Sequence, residues 1–237
     1  MLLRDLQHRA VDAIKAHALA LALPSRRARA RILTEYLWIE EGAESTALHR
    51  ATGPDAPAWV QTLVDRQLAD ERRHARLLRE LLAGLGTEPP PPPALARAKL
   101  WWLERACAPY RDAFSAGPIV ALLAAAAQLE ATGVRMFARH LAVLEARERA
   151  TGSADPTAAV MRAILADERR HAKSCAAAAR KLVRADERDR FEAMRARIAA
   201  IDRAFGVTMA LGFWLLIAGR ALRDRAVIEP AQRAEAA

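Results

Sequence analysis

Apolar residues recur along this chain every three or four positions, and apolar–polar alternation never lasts long enough for a strand. Four stripes stand out. One runs through Leu33, Tyr36, Leu37, Ala43 and Ala47, and a second through Val60, Val64, Leu68, Ala75, Leu78, Leu82 and Leu85. A third joins Ile119, Leu123, Ala126, Ala127, Val134, Phe137 and Leu141; the fourth joins Met161, Ile164, Leu165, Cys175, Ala179 and Leu182. The pattern predicts an all-α protein. Breakers divide it. Pro24 and Ser25 end a first helix and cap a second, and Asp55 and Asp155 each stand just before a proline-containing helix start. Gly84, Gly86 and then Pro89–Pro93 make the strongest break, a stiff spacer. A short helix is predicted over 94–107. Long helices follow from Pro118 to about Arg149, over 157–184 and over 186–225, the last bent near Gly206.

An internal repeat organises these elements. Arg50-Ala-Thr-Gly opens one copy and Arg149-Ala-Thr-Gly the other, and the heptad Ala-Asp-Glu-Arg-Arg-His-Ala occupies both 69–75 and 166–172. Each copy reads as a helical hairpin. The expected organisation is an amphipathic N-terminal helix (1–24), a four-helix bundle (25–184) and a C-terminal helical extension (185–237). Within the bundle, hairpin one covers 25–86, a Pro-rich crossover 87–117 and hairpin two 118–184. Bundles with one long crossover suit such a duplication.

Polar residues placed on the apolar stripes carry the chemistry. Glu71/His74 and Glu168/His171 hold the same positions in the two copies, and at i and i+3 each pair projects from one helix face. Helical phase puts Glu71 within about 60° of Val60, Val64, Gln67, Leu68 and Leu78, while Arg72 and Arg73 point away. Glu168 is surrounded likewise, with Arg169 and Arg170 outward. Glu130 lies at the centre of the third stripe. On the first stripe Glu40 is central, Glu44 about 40° off, Glu41 about 100° off and Glu35 nearly opposite. Glu40 is the chosen ligand and Glu44 the second candidate. An ionised carboxylate on an apolar face costs several kcal/mol unless it is paired or bound to a cation. Four carboxylates and two imidazoles suit two divalent metals, and oxygen-rich donors with one nitrogen per metal favour iron or manganese over a thiolate-seeking metal.

The order Glu, Glu-x-x-His, Glu, Glu-x-x-His on four helices resembles the ferritin-like di-iron carboxylate superfamily. That group includes rubrerythrin, bacterioferritin, the tRNA-modifying di-iron hydroxylases and the ubiquinone-biosynthesis hydroxylase. The resemblance covers about residues 26–184. The 31 residues from Glu40 to Glu71 are closer to the two hydroxylase families, and Glu40-Glu41-Gly42-Ala43 resembles the Glu-x-Gly-Ala of the ubiquinone enzyme. The chain departs from rubrerythrin in having no rubredoxin-type cysteine cluster. The resemblance implies two Fe ions held by Glu40, Glu71, His74, Glu130, Glu168 and His171. It further implies an oxidoreductase that activates dioxygen or peroxide, with an electron donor and an unidentified substrate as partners. The alternatives are a non-catalytic metal-binding or storage bundle, and a basic membrane- or RNA-associated adaptor. A homodimer is left open.

Composition adjusts this picture at the edges. The formal charge of +9 suits a polyanion. Only four of the 37 basic residues are lysine, however, and the arginines beside each Glu-x-x-His fall on outward faces, so the excess reads mainly as a solvated shell. Two cysteines, Cys107 and Cys175, form no disulfide framework, and a cytoplasmic location is the default. The 16 residues Ala204–Gly219 carry no charge. As a helix of about 24 Å they are short for a bilayer and read first as a buried terminal helix, second as a peripheral membrane contact. Asp70 and Asp167 are placed to hydrogen-bond a ligand histidine on another helix or else lie at the surface. Tyr36 and Cys175 read as core. His8, His17, His49 and His140 read as surface or partly buried, and Trp101 and Trp102 as closing the bundle end.

Overall fold

The computed structural model describes residues 2–44, 56–88 and 94–235, with side chains over 6–42, 56–88 and 101–224. It is all-helical. The described helices are α1 (Leu2–Ala22), α2 (Arg26–Glu44), α3 (Ala58–Gly84), α4 (Ala94–Cys107), α5 (Ile119–Thr151), α6 (Pro156–Leu182) and α7 (Arg188–Glu235). Single 3-10 turns sit at Ala108–Tyr110 and Ala185–Glu187.

Side chains at the breakers explain the boundaries. The Ser25 hydroxyl accepts the Ala28 N–H at 3.0 Å and starts α2. Asp155 accepts the Thr157 N–H at 2.9 Å and caps α6, whose first residue is Pro156. Arg29 reaches Asp155 at 3.2 Å and so ties α2 to that cap. Gly152, at φ 68°, closes α5 in the left-handed conformation that glycine adopts without steric penalty. Helix α3 begins directly after Pro57, which supplies the cap position itself. The expected cap Asp55 and the prolines Pro89–Pro93 lie outside the described residues.

Helix α2 packs on α3 and α5 on α6, and α3 packs on α6 to join the two pairs. Helix α1 lies along α7 and α5, and α7 also touches α2 and α4. Apolar side chains gather in two clusters. The first joins Tyr36, Leu37, Leu78, Leu82, Phe137, Met161 and Ile164, closed over by Leu19 of α1 and Ile217 of α7. The second joins Val64, Leu68, Leu123, Cys175 and Ala179 with Leu103 of α4 and Met194 and Ile198 of α7. Each buried Leu, Ile or Phe contributes about 1.5–3 kcal/mol. On α3, α5 and α6 the acids and histidines lie between the residues of one cluster and those of the other, so two dry layers clamp one polar layer.

Three expectations change. Helix α7 runs unbroken through Gly206. Its uncharged segment is half-covered and not a buried helix: Ala210, Ile217 and Ala218 are buried, while Val207, Leu211 and Leu215 (65% exposed) face outward. The reason is lateral packing, since α1 and α2 cover one side of α7 only. Trp101 and Trp102 do not close the bundle end; they are 48% and 47% exposed and pack edge-on against each other at 4.9 Å. Two helical stretches, Ile119–Thr151 and Ala185–Asp224, are long and apolar enough to cross a membrane. Core helices of soluble proteins pass the same length-and-hydropathy test.

Candidate metal centre

Each of four helices delivers its acid to one place. Glu40 comes from α2, Glu71 and His74 from α3, Glu130 from α5, and Glu168 and His171 from α6. Their side chains are almost wholly enclosed; Glu130 is the most accessible at 13%, against 1% for His74. Two groups of ligand atoms form. Glu40, Glu71, His74 and Glu168 offer atoms all within 4.8 Å of one another, and so do Glu71, Glu130, Glu168 and His171. The groups share Glu71 and Glu168, one carboxylate from each repeat. That is the arrangement of two neighbouring cation positions with two common carboxylates.

The histidines are oriented by a crossed set of contacts. Nε2 of His74 lies 3.1 Å from Asp167 of the other repeat, and Nε2 of His171 lies 3.1 Å from Asp70. An ionised aspartate only accepts, so each Nε2–H donates and each Nδ1 is turned toward the carboxylates. His74 Nδ1 is 3.0 Å from Glu40 and 3.6 Å from Glu71. His171 Nδ1 is 3.2 Å from Glu71 and 3.9 Å from Glu130. Arg73 and Arg170 complete the crossing. Arg170 pairs with Asp70 and Asp167, each at 2.6 Å, and Arg73 pairs with Asp70 at 2.8 Å and also with Asp167. These two arginines are therefore not simply part of a solvated shell. Burial pulls the Asp70 carboxyl upward, but His171, Arg170 and Arg73 outweigh it and hold it below the ordinary range. Asp167 is lowered in the same way by His74 and the same arginines.

The electrostatics of the centre call for a cation. Burial, followed by the charge of Glu130, pushes Glu168 up to about 12. Burial, followed by Glu71, pushes Glu130 up to about 7. Glu40 is raised well above the usual range by burial and by Glu71 and Glu130. Glu71 alone goes down: burial raises it, but the imidazoles of His171 and His74 beside it outweigh that. Four carboxyls in so small a volume cannot all ionise without a counter-charge, and a dication supplies one.

Two further observations fit a metal. Glu71 Oε1 and His171 Nδ1 are fully buried, face each other at 3.2 Å and yet meet no hydrogen-bond geometry. Orphaned buried donor atoms converging on one point are what a cation would satisfy. Gly133 of α5 lies against Glu168, and a β-carbon there would overlap Glu168 Oε2. The glycine makes room for a carboxylate turned into the centre.

The predicted set of six is thus brought together complete. On α2 the choice of Glu40 over its neighbours has a geometric reason: Glu41 turns outward to Arg79 at 2.5 Å, and Glu35 pairs with Arg31. The side chain of Glu44 lies outside the described residues, as does His49. Asp70 and Asp167 take the histidine-orienting role and not the surface one. Tyr36 is core, 2% exposed and edge-on to Phe137. His140 is not partly exposed but buried at 5%, and burial lowers its pKa to about 4, so it is a neutral core residue. Sequence reading missed the function of Gln67, whose amide donates to Glu130 Oε1 at 2.6 Å. Its polarity on an otherwise apolar stripe was the available signal. No family model, curated protein or solved structure matches this chain.

Proposed function

We propose that this chain is a ferritin-like four-helix di-iron carboxylate oxidoreductase that activates dioxygen or peroxide. The observation that supports it best is the pair of overlapping ligand groups sharing Glu71 and Glu168. Glu40 and His74 would complete one metal position, and Glu130 and His171 the other. Carboxylate-rich donor sets with one imidazole each suit iron or manganese over thiolate-seeking metals. A bound redox-active pair would supply the electrons for reducing dioxygen or peroxide.

The protein's own part is orientation, proton storage and exclusion of water. Asp167 and Asp70 hold the histidines with Nδ1 inward. Burial makes Glu40, Glu130 and Glu168 hold protons more tightly in the cation-free protein, and loading would displace those protons. The apolar clusters on either side keep bulk water from the polar layer.

The test is metal content followed by oxygen uptake. The full chain is expected to bind two ferrous ions anaerobically and to consume oxygen when air is admitted. A chain that binds fewer than two ions overturns the centre. A chain that binds two and consumes neither oxygen nor peroxide is a metal-storing or metal-stabilised bundle instead.

A further inference from the structure

Glu130 differs from the other three acids in having a dedicated neutral partner. Gln67 of α3 donates its Nε2–H to Glu130 Oε1 at 2.6 Å, across from one helix to another. The other end of the same amide is also occupied: Cys175 of α6 donates its S–H to Gln67 Oε1 at 3.2 Å. A glutamine side chain can flip, and the flipped amide would turn its oxygen on the carboxylate. A donor at one end and an acceptor at the other leave only one orientation satisfied. The thiol sets the amide, and the amide sets the carboxylate.

The repeat provides an internal comparison. Shifting by the 97 residues that relate the two heptads, Gln67 corresponds to Ile164 and Cys175 to Leu78. Ile164 and Leu78 are both 0% exposed and lie in the apolar cluster with Tyr36 and Leu37. Glu40 therefore has no such amide on its side. The polar pair exists in one half only, although both halves descend from the same pattern. A glutamine and a thiol kept in a dry layer need a reason, since burying an amide is costly unless both its ends are bonded.

We infer that Gln67, itself fixed by Cys175, is a positioning residue for Glu130 and makes the Glu130/His171 position distinct from the Glu40/His74 position. The inference rests on the metal-centre reading above. Gln67 touches neither a reacting atom nor a histidine ligand. Its role is to hold one carboxylate oxygen so that the other, Oε2, faces His171 Nδ1 at 3.9 Å.

The experiment titrates Mn²⁺ into the full chain and counts the free ion by electron paramagnetic resonance. In His74→Ala only the Glu130/His171 position remains, and in His171→Ala only the other. Adding Gln67→Met, which keeps the volume and removes the amide, is expected to weaken the first by about 10- to 100-fold and leave the second unchanged. Cys175→Ala should weaken the first position by a smaller factor, and Cys175→Ser, which retains a donor, should restore it. Equal weakening of both positions, or of neither, overturns the inference. So does a Cys175→Ser variant that behaves as Cys175→Ala does.

If the unsubstituted chain binds no cation, the metal-centre reading fails by that result alone. Orientation of Glu130 by Gln67 is then read in the cation-free protein, by thermal denaturation of Gln67→Met, Glu130→Leu and their combination. Non-additive shifts in Tm support it, and additive shifts overturn it.

Discussion

The two repeats contribute the same motif to one polar layer and surround it differently. Around Glu40 the wall is large and dry: Tyr36, Leu37, Leu78 and Ile164, sealed from outside by α1 and α7. Counted from the ligand on each helix, Tyr36 and Leu37 correspond to Ala126 and Ala127 beside Glu130, and Leu78 and Ile164 to Cys175 and Gln67. The Glu130 side thus exchanges bulk for small residues and apolar atoms for a hydrogen-bonded amide. It also opens outward. A groove of about 460 Å³ runs between α5, α6 and α7, with Ala127, Ala131, Ala172 and Ala176 among its walls. The two repeats keep the same acids and histidines and differ in what surrounds them. One half packs large apolar residues beside its acid, and the other packs alanines and one bonded amide beside a groove that no candidate ligand lines.

The most severe way to break the comparison is to remove what the halves share. Glu71 and Glu168 belong to both ligand groups, so Glu71→Ala combined with Glu168→Ala should abolish binding at both positions. Glu40→Ala or Glu130→Ala should each cost one ion. Metal analysis by mass spectrometry after gel filtration checks the stoichiometry. A double variant that keeps even one tightly held ion would show that the carboxylates are not shared.

The next effect is on stability and concerns the cation-free protein. Glu130 and Glu168 are raised above the ordinary carboxyl value of 4.5, to about 7 and about 12. The folded state thus binds more protons than the unfolded one above pH 4.5, and stability falls as pH rises through that window. His140 acts oppositely but only between its folded value of about 4 and its unfolded 6.5. From pH 7 to 9 the raised Glu168 and Glu40 still favour the protonated folded state, and the metal-free protein should lose up to about 1.4 kcal/mol per pH unit for each proton retained. Thermal denaturation at both pH values, with and without Mn²⁺, reads this. Loading replaces the protons by a cation, so the loaded protein should show a much flatter dependence.

Much of this centre was legible from residue spacing alone, because helical phase is a local property. Glu40 was separable from Glu35 and Glu41 by angle, and both Glu-x-x-His pairs by their repetition. The crossing of Asp70 and Asp167 to the histidines of the opposite repeat could be anticipated from chemistry, since a ligand imidazole needs a partner for its second nitrogen. What stayed hidden depends on which helices meet and at what height. His140 looked surface-bound because nothing in its own helix shows that Leu19 and Ala22 of α1 cover that side. Trp101 and Trp102 looked like a cover because large aromatics usually bury, yet their end of α4 meets α7 with the other face. Gln67 could be placed on the inward face, but its partner on α5 lies 63 residues away and depends on the register between two helices.

The crossed contacts give a smaller and more selective perturbation. Asp70→Asn should weaken the position that uses His171, and Asp167→Asn the position that uses His74, each by about 10- to 100-fold. The crossing makes this prediction specific, because each aspartate acts on the histidine of the other repeat and not on the one four residues along its own helix. Mn²⁺ titration of the single variants distinguishes the two patterns. Weakening in the aspartate's own repeat would mean that the crossing drawn by the 3.1 Å contacts is wrong.

The finest perturbation swaps the surroundings and leaves every ligand in place. Gln67→Ile with Cys175→Leu gives the Glu130 side the residues that stand at the matching positions beside Glu40. If the difference between the halves resides in these two residues, Glu130 loses its fixed orientation and the Glu130/His171 position weakens by about 10-fold, while the other keeps its affinity. The exchange removes both partners of the Cys175–Gln67 bond but leaves Glu130 Oε1 without its donor, at a cost of about 1–3 kcal/mol in the cation-free protein. The converse swap, Ile164→Gln with Leu78→Cys, is not its mirror image. Glu40 Oε2 already meets His74 Nδ1 at 3.0 Å, and the bulky wall of Tyr36 and Leu37 leaves no equivalent of the alanines beside Glu130. A glutamine placed there would be buried without a settled partner at both ends, at a cost of about 1–3 kcal/mol. A loss of Mn²⁺ affinity confined to the Glu130/His171 position in the forward swap, with no gain at the Glu40/His74 position in the converse one, would place the asymmetry in the packing that surrounds the acids and histidines. Equal losses in both directions would return it to the ligands themselves.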